Sequence, residues 1–486
     1  MIYDNLLALT AQAPITSGLR QGEAFTPYAA LVERIGRLAA GFIEHGIENG
    51  DPVALLIPNS PDLFATAHAL FAIGAIAMPL GVTATRSELA TLARKTGLAA
   101  VISSPDLAAT AEMLIADTAS GIPLFLTNAL PEGSATAQLP KLPGDTTALY
   151  LFSSGSTGLP KVVPHTHAEL IADGERTGTA WDLRSDDIVL DILPGNFALG
   201  FTLGATTAVA RGATTLYWSD PLPLALSRKK LLDTMARERV TVMGAVPAMY
   251  EILAGQTGSF DLRLRLAFSG GAALTRPTFE AVRESLGVAL RQAYGSTEAI
   301  MVSHNNSADP DSSWASVGKP AGDARARIAP FDTDFGPSVG ELEVRSTSLM
   351  RGYLDDAVAN AQAFDDGWFR TGDLASIDEE GRIFIRGRSK LLIEVSGYKI
   401  DPIEVEETLM TLPAVAEAAV AGLPDPRSGN RLIAFVVRGA DVSADELIRG
   451  ARERLSVQKV PTEIVFIDAL PRSPTGKLLR GRLREL

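Results

Sequence analysis

The chain has 486 residues, 46% apolar and 21% charged, with a net charge of −13 and no cysteine. That length exceeds what one hydrophobic core usually holds, so a folded chain of two or more domains is expected, not a disordered one. The acidic balance argues against nucleic acid as the partner, because phosphate backbones are bound by clustered Lys and Arg. The lack of cysteine excludes disulfides, thiolate metal sites and a catalytic thiol, so any thiol chemistry must use a thiol brought by a partner.

The first residues, MIYDNLLALT, lack a basic segment followed by an apolar run. No signal peptide is expected, and the protein is read as cytoplasmic. Thr26-Pro27 reads as an N-cap followed by Pro at the first helical position, with Leu31, Ile35, Leu38 and Phe42 at helical spacing and Gly46 as the stop. VALLI at 53–57 suits a buried strand. Residues 63–82, LFATAHALFAIGAIAMPLGV, are long enough to suggest a membrane span, but His68, Gly74 and Pro79 interrupt them. A buried helix running into a strand is expected there, and no membrane span.

A second helix–strand pair ends near 99–102, and 131–145 is a loop rich in Pro, Gly, Ser and Thr. A strand at 148–152 (ALYLF) then leads into SSGSTGLPK at 153–161, after which helices and strands alternate from 188 to about 294. His165 and His167 (PHTH) have no third ligand in view, and a loop continuing into a helix accounts for them. His304 has no evident role. From residue 340 short strands take over. After Arg388 come a helix capped by Asp401-Pro402, strands at 415–420 and 433–437, a helix near 447–455 and a strand at 464–467. The expected fold is α/β: a large N-terminal domain of helix-flanked, mostly parallel sheets (1–387) and a small α+β C-terminal domain (388–486).

Small hydroxyl and glycine residues closing on a lysine, fed by a strand, suit a polyphosphate. The segment is not a Walker A loop, because Pro160 and Val162 stand where Gly and Ser or Thr would flank the lysine. Further segments follow in order: SGGAA at 269–273, QAYGSTEA at 292–299, GWFRTGDL at 367–374, GRSK at 387–390, VSGYKIDPIE at 395–404 and LPRSPTGKLLR at 470–480.

In order and spacing these segments resemble those of the adenylate-forming superfamily, which holds acyl-CoA synthetases, aryl-acid ligases, nonribosomal peptide adenylation domains and firefly-type luciferases. The resemblance runs from about residue 20 to 485. It implies that Ser153, Ser154, Gly155, Ser156, Thr157, Gly158 and Lys161 cradle the phosphates of ATP. Gly271 and Ala272 would lie against the adenine with the ring of Tyr294, and Gly295 and Ser296 would belong to the same nucleotide site. Thr297 would contact the α-phosphate and Glu298 would bind Mg²⁺, for which carboxylate oxygen is the right hard ligand. Asp373 and Arg388 would hold the ribose, and Lys390 would be the hinge on which the small, mobile domain turns. Gly397 would let a pantetheine arm pass, although a turn glycine between two strands fits it too. Lys477 would be the adenylation lysine.

Where many relatives carry a His, LPGNFALG at 193–200 has none; Gly195 takes its place. The Asn-Phe pair is similar to the HNF of aryl-acid ligases, so Asn196 and Phe197 are expected to line the acyl pocket with Val246, Ser269 and Gly295 nearby. The expected activity is two-step ligation of an aromatic or medium-chain acid: an acyl-adenylate forms from MgATP, then the acyl group passes to a thiol. The thiol is coenzyme A or the phosphopantetheine of a carrier protein. A luciferase-like oxidase would share every motif. A non-enzymatic binding protein would be expected to have lost Lys477, Glu298 or Asp373.

Overall fold

A computed structural model describes the chain apart from residues 11–16, 83, 85, 119–120, 135–138, 154–160, 221, 332–337, 396–397, 426–428, 473–477 and 484, and the side chains of 390, 398 and 399. It divides into two compact units, the first made of Met1–Ala326, Val344–Phe369 and Glu379–Ile383, the second of Arg327–Glu343, Arg370–Asp378 and Phe384–Leu486.

The first unit holds two large sheets. One has six strands in the order Leu124–Leu126, Ala100–Ser103, Pro52–Leu56, Ile76–Pro79, Thr147–Ser153, Lys161–Thr166, parallel except for the last pair. The other has nine. Its parallel body runs Leu290–Ser296, Leu266–Ser269, Val242–Ala245, Ile188–Asp191, Thr214–Tyr217, Gly18–Gln21, and antiparallel strands flank it at both ends. The expected mostly parallel architecture is what the chain adopts.

The apolar stretch at 63–82 shows how sequence dictates the local fold. Ser60 caps the helix Pro61–Ile73 by accepting the Leu63 N–H (3.2 Å), Pro61 opens it, and Gly74 closes it at φ +83°. Every residue from Leu63 to Ile73 is buried, and the chain passes directly into the strand Ile76–Pro79. Phe64 and Phe71 share a core with Leu31, Ile35 and Phe42 of the helix Tyr28–Glu44. Among the described residues no helix is long and apolar enough to cross a membrane.

Two local expectations are corrected. Thr26 does not cap a helix: it pairs with Leu19 in the strand Ala24–Pro27, and Pro27 itself occupies the N-cap. His165 does not lie in a loop: 161–166 pair as a strand with 147–153, and the helix His167–Ala180 starts only after Thr166, which forms a capping box with Glu169. His167 is a core ring set edge-on to Phe71, and His304 packs beside Trp181 and Phe268. Burial pushes His167 down to about 4 and His304 down to about 3, so both are neutral at physiological pH.

In the second unit the strands Gly340–Arg345, Trp368–Ile377 and Ile383–Arg388 lie side by side in that order. Beyond them a three-stranded sheet, Val415–Asp425, Gly429–Arg438 and Glu463–Phe466, packs Val420, Leu432 and Val436 with Val405 and Leu409 of the helix Pro402–Met410 and Leu447 of the helix Ala444–Arg452. This unit therefore takes in 327–343 and 370–378, upstream of the boundary expected at 387–390.

Asp401 caps the helix Pro402–Met410 through the Ile403 N–H (2.9 Å), and a Cβ on Gly387 would fall 2.5 Å from its Oδ2, so a larger residue there would have to displace the capping carboxylate. Burial, with help from Glu406 and Glu404 and against the Ile403 N–H and Arg480, pushes the Asp401 carboxyl up to about 6. An unfolded Asp titrates near ~3.9, so this group stabilises the fold fully below that pH and loses the contribution as pH rises through about 6. Asp401→Asn keeps a capping acceptor and cannot ionise. Between pH 4 and 7, wild type is expected to lose about 2–3 kcal/mol relative to this variant, measured by urea unfolding. Parallel pH profiles for the two proteins would show that Asp401 is not the titrating group.

Candidate active site

The expected site residues of the first unit collect where ligands bind in open α/β sheets, just past the carboxyl ends of neighbouring parallel strands. The loop carrying Asn196 and Phe197 follows the strand Ile188–Asp191, Val246 follows Val242–Ala245, the Gly271–Ala272 loop follows Leu266–Ser269, and Tyr294 to Glu298 end the strand Leu290–Ser296. Ser269 is buried at the last position of its strand, and its hydroxyl has no partner among the described residues. Gly271 stands at φ +79° with the Val246 side chain against it. Ala272 is exposed.

The strand carrying Tyr294 turns back at 297–299 into Ile300–His304, with a register shift at Tyr294/Gly295. Tyr294 is buried. Gly295 is required by close approach: a Cβ there would lie 2.0 Å from the Ile300 carbonyl oxygen. Ile300 itself stands at φ +54°, a strained conformation for a β-branched residue. Ser296 Oγ accepts the Ala299 N–H (3.2 Å), and His165 Nε2–H donates to the Thr297 carbonyl (2.8 Å).

Behind the turn lies a buried charge network. Asp173 Oδ1 accepts the Met301 N–H (3.1 Å) and a bond from Arg176 Nη2 (2.9 Å); the same guanidinium nitrogen donates to the Met301 carbonyl (2.7 Å) and to Ser348 Oγ (2.5 Å), and Nη1 reaches Asp323 (3.1 Å). Ser348 Oγ in turn donates to the Ala299 carbonyl (3.2 Å). The backbone is thus held on both sides of Ile300. Burial raises the Asp173 carboxyl, while the Arg176 guanidinium pulls the other way.

Ser153 and Lys161 are partners in the register of the hairpin Thr147–Ser153/Lys161–Thr166, so they face each other across the base of the segment 154–160. The Lys161 ammonium lies 4.3 Å from the centre of the Tyr353 ring, and the Tyr353 hydroxyl donates to Glu298 Oε1 (2.9 Å). Among the described residues nothing bonds Glu298 Oε2. Those residues also contain no cluster of three His, Asp or Glu fit to hold a metal. A single half-buried carboxylate with one oxygen open fits a Mg²⁺ that keeps waters and shares phosphates, not a resident metal in a protein cage.

The loop carrying Asn196 and Phe197 is held by Asn59. Its Nδ2 donates to the Leu193 carbonyl (2.5 Å) and to Asp191 Oδ1 (3.2 Å), and its Oδ1 accepts the Gly195 N–H (2.8 Å). Gly195 packs closely on the helix Pro61–Ile73: a Cβ there would lie 2.7 Å from Leu63 Cδ2, so a larger residue would require that side chain to shift. Asn196 lies against Gly81, and Phe197 is 44% exposed, so it is not a core residue.

In the second unit, Arg388 Nε pairs with Asp373 Oδ1 at 2.6 Å, and Ser389 Oγ donates to the Gly372 carbonyl (3.0 Å). The two expected ribose ligands are therefore direct partners. Ser154, Gly155, Ser156, Thr157, Gly158, Gly397 and Lys477 lie outside the described residues, as does the Lys390 side chain. Nothing in the sequence singles out Tyr353. Asp173 and Arg176 left a faint signal, an i,i+3 charged pair on the helix face that Leu170 and Thr177 bury.

Residues 10–354 match the family described as AMP-binding enzyme, and 404–477 match the AMP-binding enzyme C-terminal domain. The chain is 33% identical over 482 residues to a feruloyl-CoA synthase of an Amycolatopsis species, covering 97% of this chain and 96% of the other. It is 29% identical over 479 residues to a long-chain-fatty-acid–CoA ligase of Mycobacterium tuberculosis, covering 94% and 92%. Among solved structures it is similar to o-succinylbenzoate coenzyme A synthetase of Bacillus subtilis in complex with ATP and magnesium, with a TM-score of 0.87, 26% identity and 99% of each chain covered.

Proposed function

Because this chain belongs to the AMP-binding enzyme family and is an AMP-forming acid–CoA ligase, we propose that it joins an aromatic carboxylic acid to coenzyme A in the cytoplasm, where ATP and coenzyme A are both at hand. In the first step the carboxylate attacks the α-phosphorus of ATP and pyrophosphate leaves. In the second the thiol attacks the acyl carbon, AMP leaves, and the thiol proton is released. The observation that carries this reading is the placement of the loop carrying Asn196 and Phe197, the Gly271–Ala272 loop and the Tyr294–Glu298 turn at adjacent strand ends of one sheet.

The roles proposed for the individual residues combine the resemblance with the geometry of those the structure describes. The phosphate loop between Ser153 and Lys161 receives the polyphosphate, with Lys161 as its cation. Thr297 faces the α-phosphate from a turn whose backbone is fixed by His165. Glu298 Oε2 is the oxygen open to Mg²⁺, which supplies charge neutralisation of the phosphates when bound. Asp373, oriented by Arg388, takes the ribose hydroxyls. Lys390 serves as the hinge, and Gly397 borders the passage for the pantetheine arm. Holding acid and nucleotide together lowers the entropic cost of their reaction. Coenzyme A is favoured over a carrier-protein arm by the relatives, which include named CoA ligases.

An aromatic acid is favoured by the exposed ring of Phe197 beside Asn196, on a loop that Asn59 holds at Leu193 and Gly195. Pyrophosphate release measured against aryl and alkyl acids, with and without coenzyme A, tests the proposal. Sustained turnover that needs coenzyme A and prefers aryl acids is expected. Release that stalls near one turnover regardless of coenzyme A would favour a carrier protein, and a preference for alkyl acids would overturn the aromatic assignment. Asn196→Ala is expected to raise the KM for the preferred acid about 10-fold, the effect of losing one buried polar contact of ~1.4 kcal/mol, with little change in KM for ATP. An unchanged KM for the acid would remove Asn196 from the acyl pocket.

A further inference from the structure

We infer that Tyr353 is a positioning residue that couples the phosphate-loop lysine to the metal-binding carboxylate, setting the affinity of the site for the magnesium that accompanies ATP. This rests on the reading of Glu298 as the Mg²⁺ ligand and Lys161 as a phosphate ligand. The contacts are specific on every side of the residue. Its hydroxyl donates to Glu298 Oε1 (2.9 Å) and its ring lies beneath the Lys161 ammonium (4.3 Å). Its backbone is clamped at both ends by Asn360, which accepts the Tyr353 N–H (2.7 Å) and donates to the Tyr353 carbonyl (2.9 Å).

The flanking backbone makes the same two connections. The Met350 N–H donates to the Glu298 carbonyl (2.8 Å), and the Leu354 N–H donates to the Val162 carbonyl, next to Lys161 (3.1 Å). Residues 350–354 therefore tie the turn that carries Glu298 to the strand that carries Lys161, and Tyr353 is the one side chain in that tie that meets both functional groups. In a bond to a carboxylate oxygen the phenol O–H is the donor. A donor fixed on one carboxylate oxygen orients the other toward an incoming cation. Partners of this kind commonly account for 10- to 100-fold in metal affinity.

The two contacts are separable. Tyr353→Phe removes the bond to Glu298 and keeps the ring under Lys161; Tyr353→Leu removes both. The readout is the Mg²⁺ concentration giving half of the thermal stabilisation by α,β-methylene-ATP, which binds but cannot be cleaved at the α-phosphate. Tyr353→Phe is expected to raise that concentration about 10-fold without changing the melting temperature of the free protein by more than about 2 °C. Tyr353→Leu is expected to raise it similarly and also to weaken nucleotide binding at saturating Mg²⁺. Glu298→Gln in the same titration tests the underlying reading. If Glu298→Gln leaves the Mg²⁺ requirement unchanged, the metal assignment itself fails and the Tyr353 proposal with it. If Glu298→Gln raises the requirement and Tyr353→Phe does not, the metal assignment stands and the role of Tyr353 is overturned. Should Tyr353→Leu fail to fold, the Tyr353→Phe result alone decides.

Discussion

Lys477→Ala is expected to slow acyl-adenylate formation by at least ~10²-fold, the scale set by loss of one key transition-state donor, while thioester formation from supplied acyl-AMP changes far less. The reason is electrostatic. A carboxylate approaching the α-phosphate meets like charge, a repulsion of about 4 kcal/mol at ~4 Å for an effective dielectric near ~20. One cation bridging both groups offsets that repulsion only while they react. Lys477 lies outside the described residues, but the chain on either side is pinned: Arg472 pairs with Leu478, and the Leu479 N–H donates to the Pro471 carbonyl (2.8 Å). Pyrophosphate exchange measures the first step and a single-turnover assay with acyl-AMP and coenzyme A the second. Equal losses in both would remove Lys477 from the adenylation step.

The second large effect concerns stability. Arg176→Met is expected to cost about 3–5 kcal/mol in urea unfolding, because it strands the Asp173 carboxylate, whose side chain is only 1% exposed. The double variant Asp173→Asn/Arg176→Met removes both charges and leaves an amide oxygen that can still accept the Met301 N–H, so it is expected to recover part of the loss. A double variant no more stable than Arg176→Met would show that the charge imbalance is not the cause. Activity is expected to fall in Arg176→Met beyond what unfolding explains, since the Met301 carbonyl and, through Ser348, the Ala299 carbonyl lose their anchor.

What could be read from the sequence divides along a physical line. Elements fixed by short-range chemistry are legible: the buried helix and strand within 63–82 from an apolar run that His68, Gly74 and Pro79 interrupt, and the helix Pro402–Met410 from Asp401-Pro402. Features that depend on long-range pairing are not. The strand Lys161–Thr166 is hidden because Pro164 and His165 carry little strand character and are fixed by their partners across the hairpin. The second unit takes in residues 327–343 because strand pairing, not chain continuity, places them there. Tyr353 and Glu298 are 55 positions apart, and no periodicity links them. Asn59 likewise looks like an ordinary turn residue until it is seen holding Leu193 and Gly195.

Ile300 leaves a further mark on how such a protein can be improved or eroded. Its positive φ stores roughly 1–3 kcal/mol in the turn that presents Thr297 and Glu298, and that energy is supplied by the packing around it. The position is thus a point where robustness and catalytic competence pull in opposite directions. A selection for heat resistance alone would favour relaxation of this turn, and a lineage that kept its fold while losing its substrate would be free to drift there first.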